Sequence, residues 1–252
     1  MKAKRVFVIS LAAVFLLAVL FSCVFIFSVK SVKARYSVSD NADLTKIENT
    51  LNKYVGNNLL FVNLADIEKE LEQYPYYKIS NLKKDYPNVI TLDVEERREI
   101  YCVEHEDKMY ILDQDGFVLN SHDKTSFEGV GEDRIELCLN GVEITNIKIG
   151  SYMTTNDQAL MQSILDMSKS ARLTDCISKI VVTSQTEFKD ADFYTDTGVT
   201  ITITKADVRG VDKINKAFES YDNADDYYKS FDTILVTLLD SGEILVDWTD
   251  KD

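Results

Sequence analysis

The sequence predicts an α+β protein with a single N-terminal transmembrane helix, a β-α-α-β-β unit, and a mainly antiparallel β domain carrying two flanking helices. Three observations carry this expectation. Residues 6–29 run without a charge. Two later stretches place apolar residues three or four apart and lead into strictly alternating segments. From residue 99 onward short β-rich runs dominate, interrupted by two helical patterns.

The uncharged run comes first. At 1.5 Å per residue it makes about 36 Å of helix, enough to cross a bilayer with some tilt. Lys2, Lys4 and Arg5 precede it, so residues 1–5 are expected to stay in the cytoplasm and the long C-terminal part to be exported. Two alternatives compete for the same residues. A cleaved signal peptide would use Val32-Lys33-Ala34, but the apolar stretch exceeds the usual h-region length. Leu20-Phe21-Ser22-Cys23 looks like a lipoprotein processing box, which would make the chain a lipid-anchored envelope protein that binds a small ligand or acts as an enzyme. Against that reading, residues 24–29 stay apolar where a lipoprotein turns polar.

Residues 29–38 interleave valines with Lys, Ser and Arg and read as a strand. Leu44, Ile47, Leu51 and Tyr54 then fall at helical spacing, as do Leu64, Ile67, Leu71 and Tyr74, with Asn63 placed to cap the second helix. Gly56-Asn57-Asn58 is the turn between them. After Pro75, residues 76–84 have strand character, Pro87-Asn88 supplies a turn, and Ile90, Leu92 and Val94 alternate with Thr91, Asp93 and Glu95. Strands follow at 100–103, 109–112, 117–119, 135–139, 144–149, 177–183 and 199–204. Two helices accompany them. Leu160, Met161, Ile164, Leu165 and Ser168 line the face of one; Val211, Ile214, Phe218 and Tyr221 are expected to point inward from the other, at 211–221. The chain closes on a hairpin, 233–239 and 244–248, around Asp240-Ser241-Gly242. The junction at 96–100 lacks linker composition and is expected to continue as strand.

The formal charge of −14 combines three positives in residues 1–29 with −17 after them, so the exported surface repels phosphate backbones and nucleic-acid binding is not expected. Cys102, Cys138 and Cys176 leave an odd number outside the apolar run, which suits small buried residues better than a disulfide framework. His105 and His122 lie near turns among acids, with no second ligand at metal spacing, and read as exposed loop histidines. Asp113-Gln114-Asp115-Gly116 lacks the remaining oxygen ligands of a calcium loop and reads as a hairpin turn. Glu95 and Glu96 point to opposite faces of a strand and do not converge on one bond. No G-x-S-x-G, G-x-x-x-x-G-K-[ST] or G-x-G-x-x-G occurs. No catalytic residue, cofactor or metal ligand is therefore assigned.

Four segments in order carry a family resemblance. They are Gly56-Asn57-Asn58-Leu59-Leu60; Tyr74-Pro75-Tyr76-Tyr77; Tyr86-Pro87-Asn88-Val89-Ile90 through Asp93-Val94-Glu95-Glu96-Arg97; and Tyr110-Ile111-Leu112-Asp113-Gln114-Asp115-Gly116-Phe117-Val118. With the N-terminal anchor, this arrangement resembles the FtsQ/DivIB family of bacterial cell-division proteins. Glu99 stands where many members carry proline, and residues 37–41 lack a glycine often found there. The resemblance implies a cytoplasmic tail (1–5), a transmembrane helix (6–29), a POTRA-like domain (30–98) and a β domain (99–252). It also implies a non-enzymatic divisome scaffold in the cell membrane at the division septum, meeting bitopic partners of the FtsB/DivIC and FtsL kind. Asp240-Ser241-Gly242 followed by Trp248 is similar to the family's terminal partner-binding strand. The expected partner-binding residues are Leu239, Ser241, Gly242, Ile244, Val246 and Trp248, set against the plainer possibility that these side chains simply close the core.

Overall fold

The structure is a computed structural model that describes residues 2–39, 44–127, 134–169, 176–185, 188–224, 227 and 231–250. It divides into two compact units, residues 1–97 and 98–252, each with its own core.

Helix α1 (Lys2–Ile26) opens the first unit. Its 25 residues make about 37 Å of helix, and the described side chains from residue 10 to residue 19 are exposed. The side chains of Val8, Ile9 and Leu20 lie outside the description, and among the described residues no helix is long and apolar enough to cross a membrane. The helical part of the expected 6–29 span ends three residues early. Val29 is instead buried in the core of the first unit, where its N–H donates to the Asn57 carbonyl (2.8 Å) and its own carbonyl accepts from Gly56 N–H (2.9 Å). Tertiary contact, which hydropathy does not register, claims it.

The unit continues with β1 (Ser31–Ser37), α2 (Thr45–Asn52), α3 (Leu64–Leu71), β2 (Tyr77–Asp85) and β3 (Val89–Glu96). The sheet order is β1-β3-β2, with β1 parallel and β2 antiparallel to the central β3. Alternation along β3 works as the pattern requires. Ile90, Leu92 and Val94 are buried against Ile47 and Leu51 of α2 and Ile67 and Leu71 of α3, while Asp93 faces the other side. Burying each such aliphatic chain is worth about 1.5–3 kcal/mol. Asn63 caps α3 by accepting the Ala65 N–H at 3.2 Å. On the open face Arg35 grips Asp93 through two hydrogen bonds, 2.6 and 3.0 Å.

Residues 97–100 are not strand, contrary to the expectation of continuity. The ladder of β3 ends where its partner β2 begins, with Glu96 opposite Tyr77, and the next ladder starts from the Ile100 N–H to the Leu112 carbonyl in a different sheet. Between the two, the Arg97 N–H donates to the Tyr76 carbonyl, outside either ladder.

The second unit contains β4 (Tyr101–His105), β5 (Lys108–Leu112), β6 (Val118–Asp123), β7 (Ile135–Asn140), β8 (Ile144–Asn146), β9 (Thr154–Thr155), α4 (Gln158–Lys169), β10 (Ile177–Gln185), β11 (Phe188–Thr195), β12 (Thr200–Ile203), α5 (Gly210–Asn223), β13 (Thr233–Leu238) and β14 (Ile244–Thr249). Nine of these strands form one sheet in the order β14-β13-β12-β11-β10-β7-β4-β5-β6, and β8 pairs with β9 apart from it. The strand expected over 144–149 is thus cut to three residues.

Five neighbouring pairs in the large sheet are antiparallel, while β4/β7, β7/β10 and β12/β13 are parallel. Parallel neighbours need a crossover. Helix α4 lies on the connection from β7 to β10, and α5 on that from β12 to β13. Both helices pack with the sheet into one core, where Leu160, Ile164, Ile214 and Phe218 meet Ile180, Phe193, Ile201 and Ile234.

The sequence misses one strand of this core and misplaces one side chain. Strand β11, which joins β10 to β12, has no clear signal in the sequence because Asp190, Asp192 and Lys189 break up its apolar pattern. Val211 is not inward but exposed, and the residues buried near the start of α5 include Lys213. Its Nζ donates to the Thr204 and Lys205 carbonyls at 2.6 and 2.7 Å, which satisfies the ammonium in place.

Candidate partner-binding edge

The expected partner-binding residues fall on the β13–β14 hairpin, and β14 is one edge of the large sheet among the described residues. The strand pairs antiparallel with β13 from Thr249 opposite Thr233 to Ile244 opposite Leu238. Period-2 geometry sorts its side chains. Ile244, Val246 and Trp248 face the core and are half-buried, whereas Leu245 and Asp247 on the opposite face are exposed. The inner three help close the core yet keep part of their surface exposed at the edge.

Trp248 is held by the helix above it, its Nε1–H donating to Ser220 Oγ of α5 at 3.0 Å. Beside it an open groove of about 410 Å³ runs between α5 and β14, with Lys216, Ser220, Asn223 and Val246 among its lining residues. Such a groove offers space for a side chain next to a strand edge. Leu239, Ser241 and Gly242 sit at the exposed hairpin turn, closed by Gly242 N–H to the Leu239 carbonyl and Leu239 N–H to the Glu243 carbonyl, both 2.9 Å. Gly242 takes a φ of +84°, which favours glycine there. Arg209 also belongs to this region: its Nη1 donates to the Gly242 carbonyl (2.8 Å) and its Nε to Asp212 (2.8 Å), tying the turn to the start of α5. Sequence reasoning does not find it, because the contact joins residues 33 apart.

Other candidate chemistry is placed elsewhere. His105 ends β4 and His122 lies on β6, so both are strand rather than loop residues; only His122 is exposed. Among the described residues, no group of three or more His, Cys, Asp or Glu is placed to hold a metal ion. Cys102 is buried, Cys138 and Cys176 half-buried. Burial pushes the Cys102 thiol up to about 11, far from a nucleophilic thiolate at neutral pH. Asp113 forms the expected turn, its Oδ1 accepting from Asp115 N–H (2.8 Å) and Phe117 N–H (2.9 Å).

Comparison with known proteins agrees with the layout of the first unit. The family model of the FtsQ-type POTRA domain matches residues 37–97. The cell division protein DivIB of Clostridium tetani is 30% identical over 99 residues, 38% of this chain and 36% of that protein. DivIB of Clostridium acetobutylicum is 25% identical over 140 residues, 54% of each. The chain thus spans about a third to a half of the length of these relatives. Among solved structures, the major extracytoplasmic domain of the trans isomer of DivIB from Geobacillus stearothermophilus aligns over 52% of this chain and 98% of its own, at 16% identity and a TM-score of 0.32. The POTRA match at 37–97 and the two DivIB relatives support the likeness of the chain to the FtsQ/DivIB family.

Proposed function

We propose that the chain is a non-catalytic, membrane-anchored scaffold of the bacterial divisome whose terminal hairpin receives a strand from a bitopic partner of the FtsB/DivIC or FtsL kind. The division role rests on the name shared by its DivIB relatives. The site rests on one observation, that β14 stands at the end of the large sheet with Ile244, Val246 and Trp248 half-buried along it. An edge strand offers backbone donors and acceptors to an incoming strand, and side-chain pockets along it supply selectivity. Trp248 is the residue type most often dominant at an interface, and here it borders the groove.

In this reading α1 is the anchor, supported by its 25 residues and the uncharged stretch at 6–29, with the N-terminus cytoplasmic and both units outside the cell membrane at the septum. Residues 30–98 then serve as the POTRA-like domain and 99–252 as the β domain. Holding partners in the plane of one membrane raises their effective concentration, so that individually weak contacts assemble a complex around septal wall synthesis.

The full chain is co-purified in detergent with a DivIC-like partner. Trp248→Asp is expected to weaken capture about tenfold or more. Leu245→Asp, at an exposed position of the same strand, tests the edge without disturbing the core. If both variants keep the wild-type circular dichroism spectrum and bind unchanged, the site assignment is wrong. Mass spectrometry of the extracted protein separates the anchor from the rival lipoprotein, which requires a diacylated Cys23 as the new N-terminus.

A further inference from the structure

Where α1 hands over to the first unit, the chain builds an apolar surface that the core does not use. The Phe27 carbonyl accepts the Leu59 N–H at 2.6 Å, Ser28 bridges to Asn58, and Val29 exchanges hydrogen bonds with Asn57 and Gly56. The loop between α2 and α3 is therefore laid directly against the residues leaving the helix. From the β2–β3 turn, the Tyr86 ring meets Phe27 edge-on, with centroids 6.2 Å apart. Leu59 and Val62 turn inward and are buried. Their neighbours do the reverse: Leu60 is 44% exposed and Phe61 84%, joined by Val55 at 43% and Tyr86 at 61%.

The charge around this surface departs from that of the whole chain. Residues 53–63 contain no carboxylate, and residues 27–39 carry Lys30, Lys33 and Arg35 with no acid, in a protein of net charge −14. The Lys84 ammonium also reaches this loop, 3.4 Å from the Leu60 carbonyl.

We propose that Val55, Leu60, Phe61 and Tyr86 form a collar that rests in the interfacial layer of the bilayer, seating the first unit on the membrane that α1 enters. This inference rests on the anchor reading given above. The occupant is lipid because the loop carrying Val55, Leu60 and Phe61 is hydrogen-bonded to residues 27–29, which directly follow an apolar helix whose last residues, Phe25 and Ile26, are themselves exposed. Aromatic rings favour the headgroup level, where an apolar body and a wet rim are both satisfied. Lysine stems can lie along the apolar collar while their ammonium groups reach lipid phosphates. A single helix lets its cargo swivel. A second contact beside the exit point fixes which way the unit faces.

The test uses the full chain reconstituted into phosphatidylcholine/phosphatidylglycerol vesicles, with Trp248→Phe removing the native tryptophan. One new tryptophan is placed by Phe61→Trp, or inside α1 by Phe25→Trp, and brominated lipids quench whichever one they touch. Blue-shifted emission and loss of intensity are expected at both positions, with Leu60→Ser and Tyr86→Ser together reducing the loss at position 61. Quenching at 25 with water-like, unquenched emission at 61 overturns the collar and leaves the anchor standing. No quenching at either position overturns the anchor itself.

Discussion

At Lys213 the fold encloses an ammonium group and gives it two carbonyls, those of Thr204 and Lys205. Burial pushes its pKa down, against the pull of Asp207 and Asp190. The bonds stitch the end of β12 to the first turn of α5, across a loop in which Lys205 and Arg209 both take positive φ. Lys213→Met keeps the apolar stem and removes the donors, so the Thr204 carbonyl loses its ammonium partner while the Lys205 carbonyl keeps only the Val208 N–H. A loss of about 1–3 kcal/mol is expected in urea denaturation; an unchanged midpoint would show that the loop does not depend on the ammonium. This role is not legible in the sequence, where Lys213 stands in the first turn of an amphipathic helix and reads as solvated. Val211 takes the solvated place because the crossover sets the rotation of α5 over the sheet.

At the scale of elements, α4 begins on Asp157, whose Oδ1 accepts the Leu160 N–H at 3.2 Å. Its Oδ2 lies 2.8 Å from Lys189 Nζ of β11, and the same Nζ lies 3.2 Å from Asp207. Burial works against ionisation of Asp157, but the Lys189 hydrogen bond and the helix N–H outweigh it, and the carboxyl is held below its ordinary range. A depressed folded pKa means stabilisation that is present at neutral pH and lost as the pH falls through that value. Lys189→Met should raise the Asp157 pKa and move this acid-side loss to higher pH, as followed by carboxyl NMR titration. An unshifted Asp157 would place the cause elsewhere. The helix itself is legible from the spacing of Leu160, Met161, Ile164 and Leu165, all buried as the pattern requires. Its tie to β11 is not, because β11 shows its alternation only once Ala191 and Phe193 are known to face a core.

For the whole molecule, the two units have separate cores that share no buried residue. A unit with its own core is expected to fold alone. Residues 98–252 produced without the first unit should therefore give a cooperative denaturant transition followed by far-UV circular dichroism, and a chain lacking such a transition would show that the second core is incomplete by itself. The sequence alone determined what depends on neighbours along the chain. It set the two short helices and the Asn63 cap, the alternation of β3, the Asp113 turn, and the terminal hairpin with its glycine, since backbone geometry places those contacts within a few residues. Only the tertiary structure decided the order of nine strands, the three parallel pairings, the membership of β11 and the transfer of Val29 from the helix to the core. Those outcomes depend on pairings between residues far apart in the chain, whose free energy appears only when the partner strand or helix is in place.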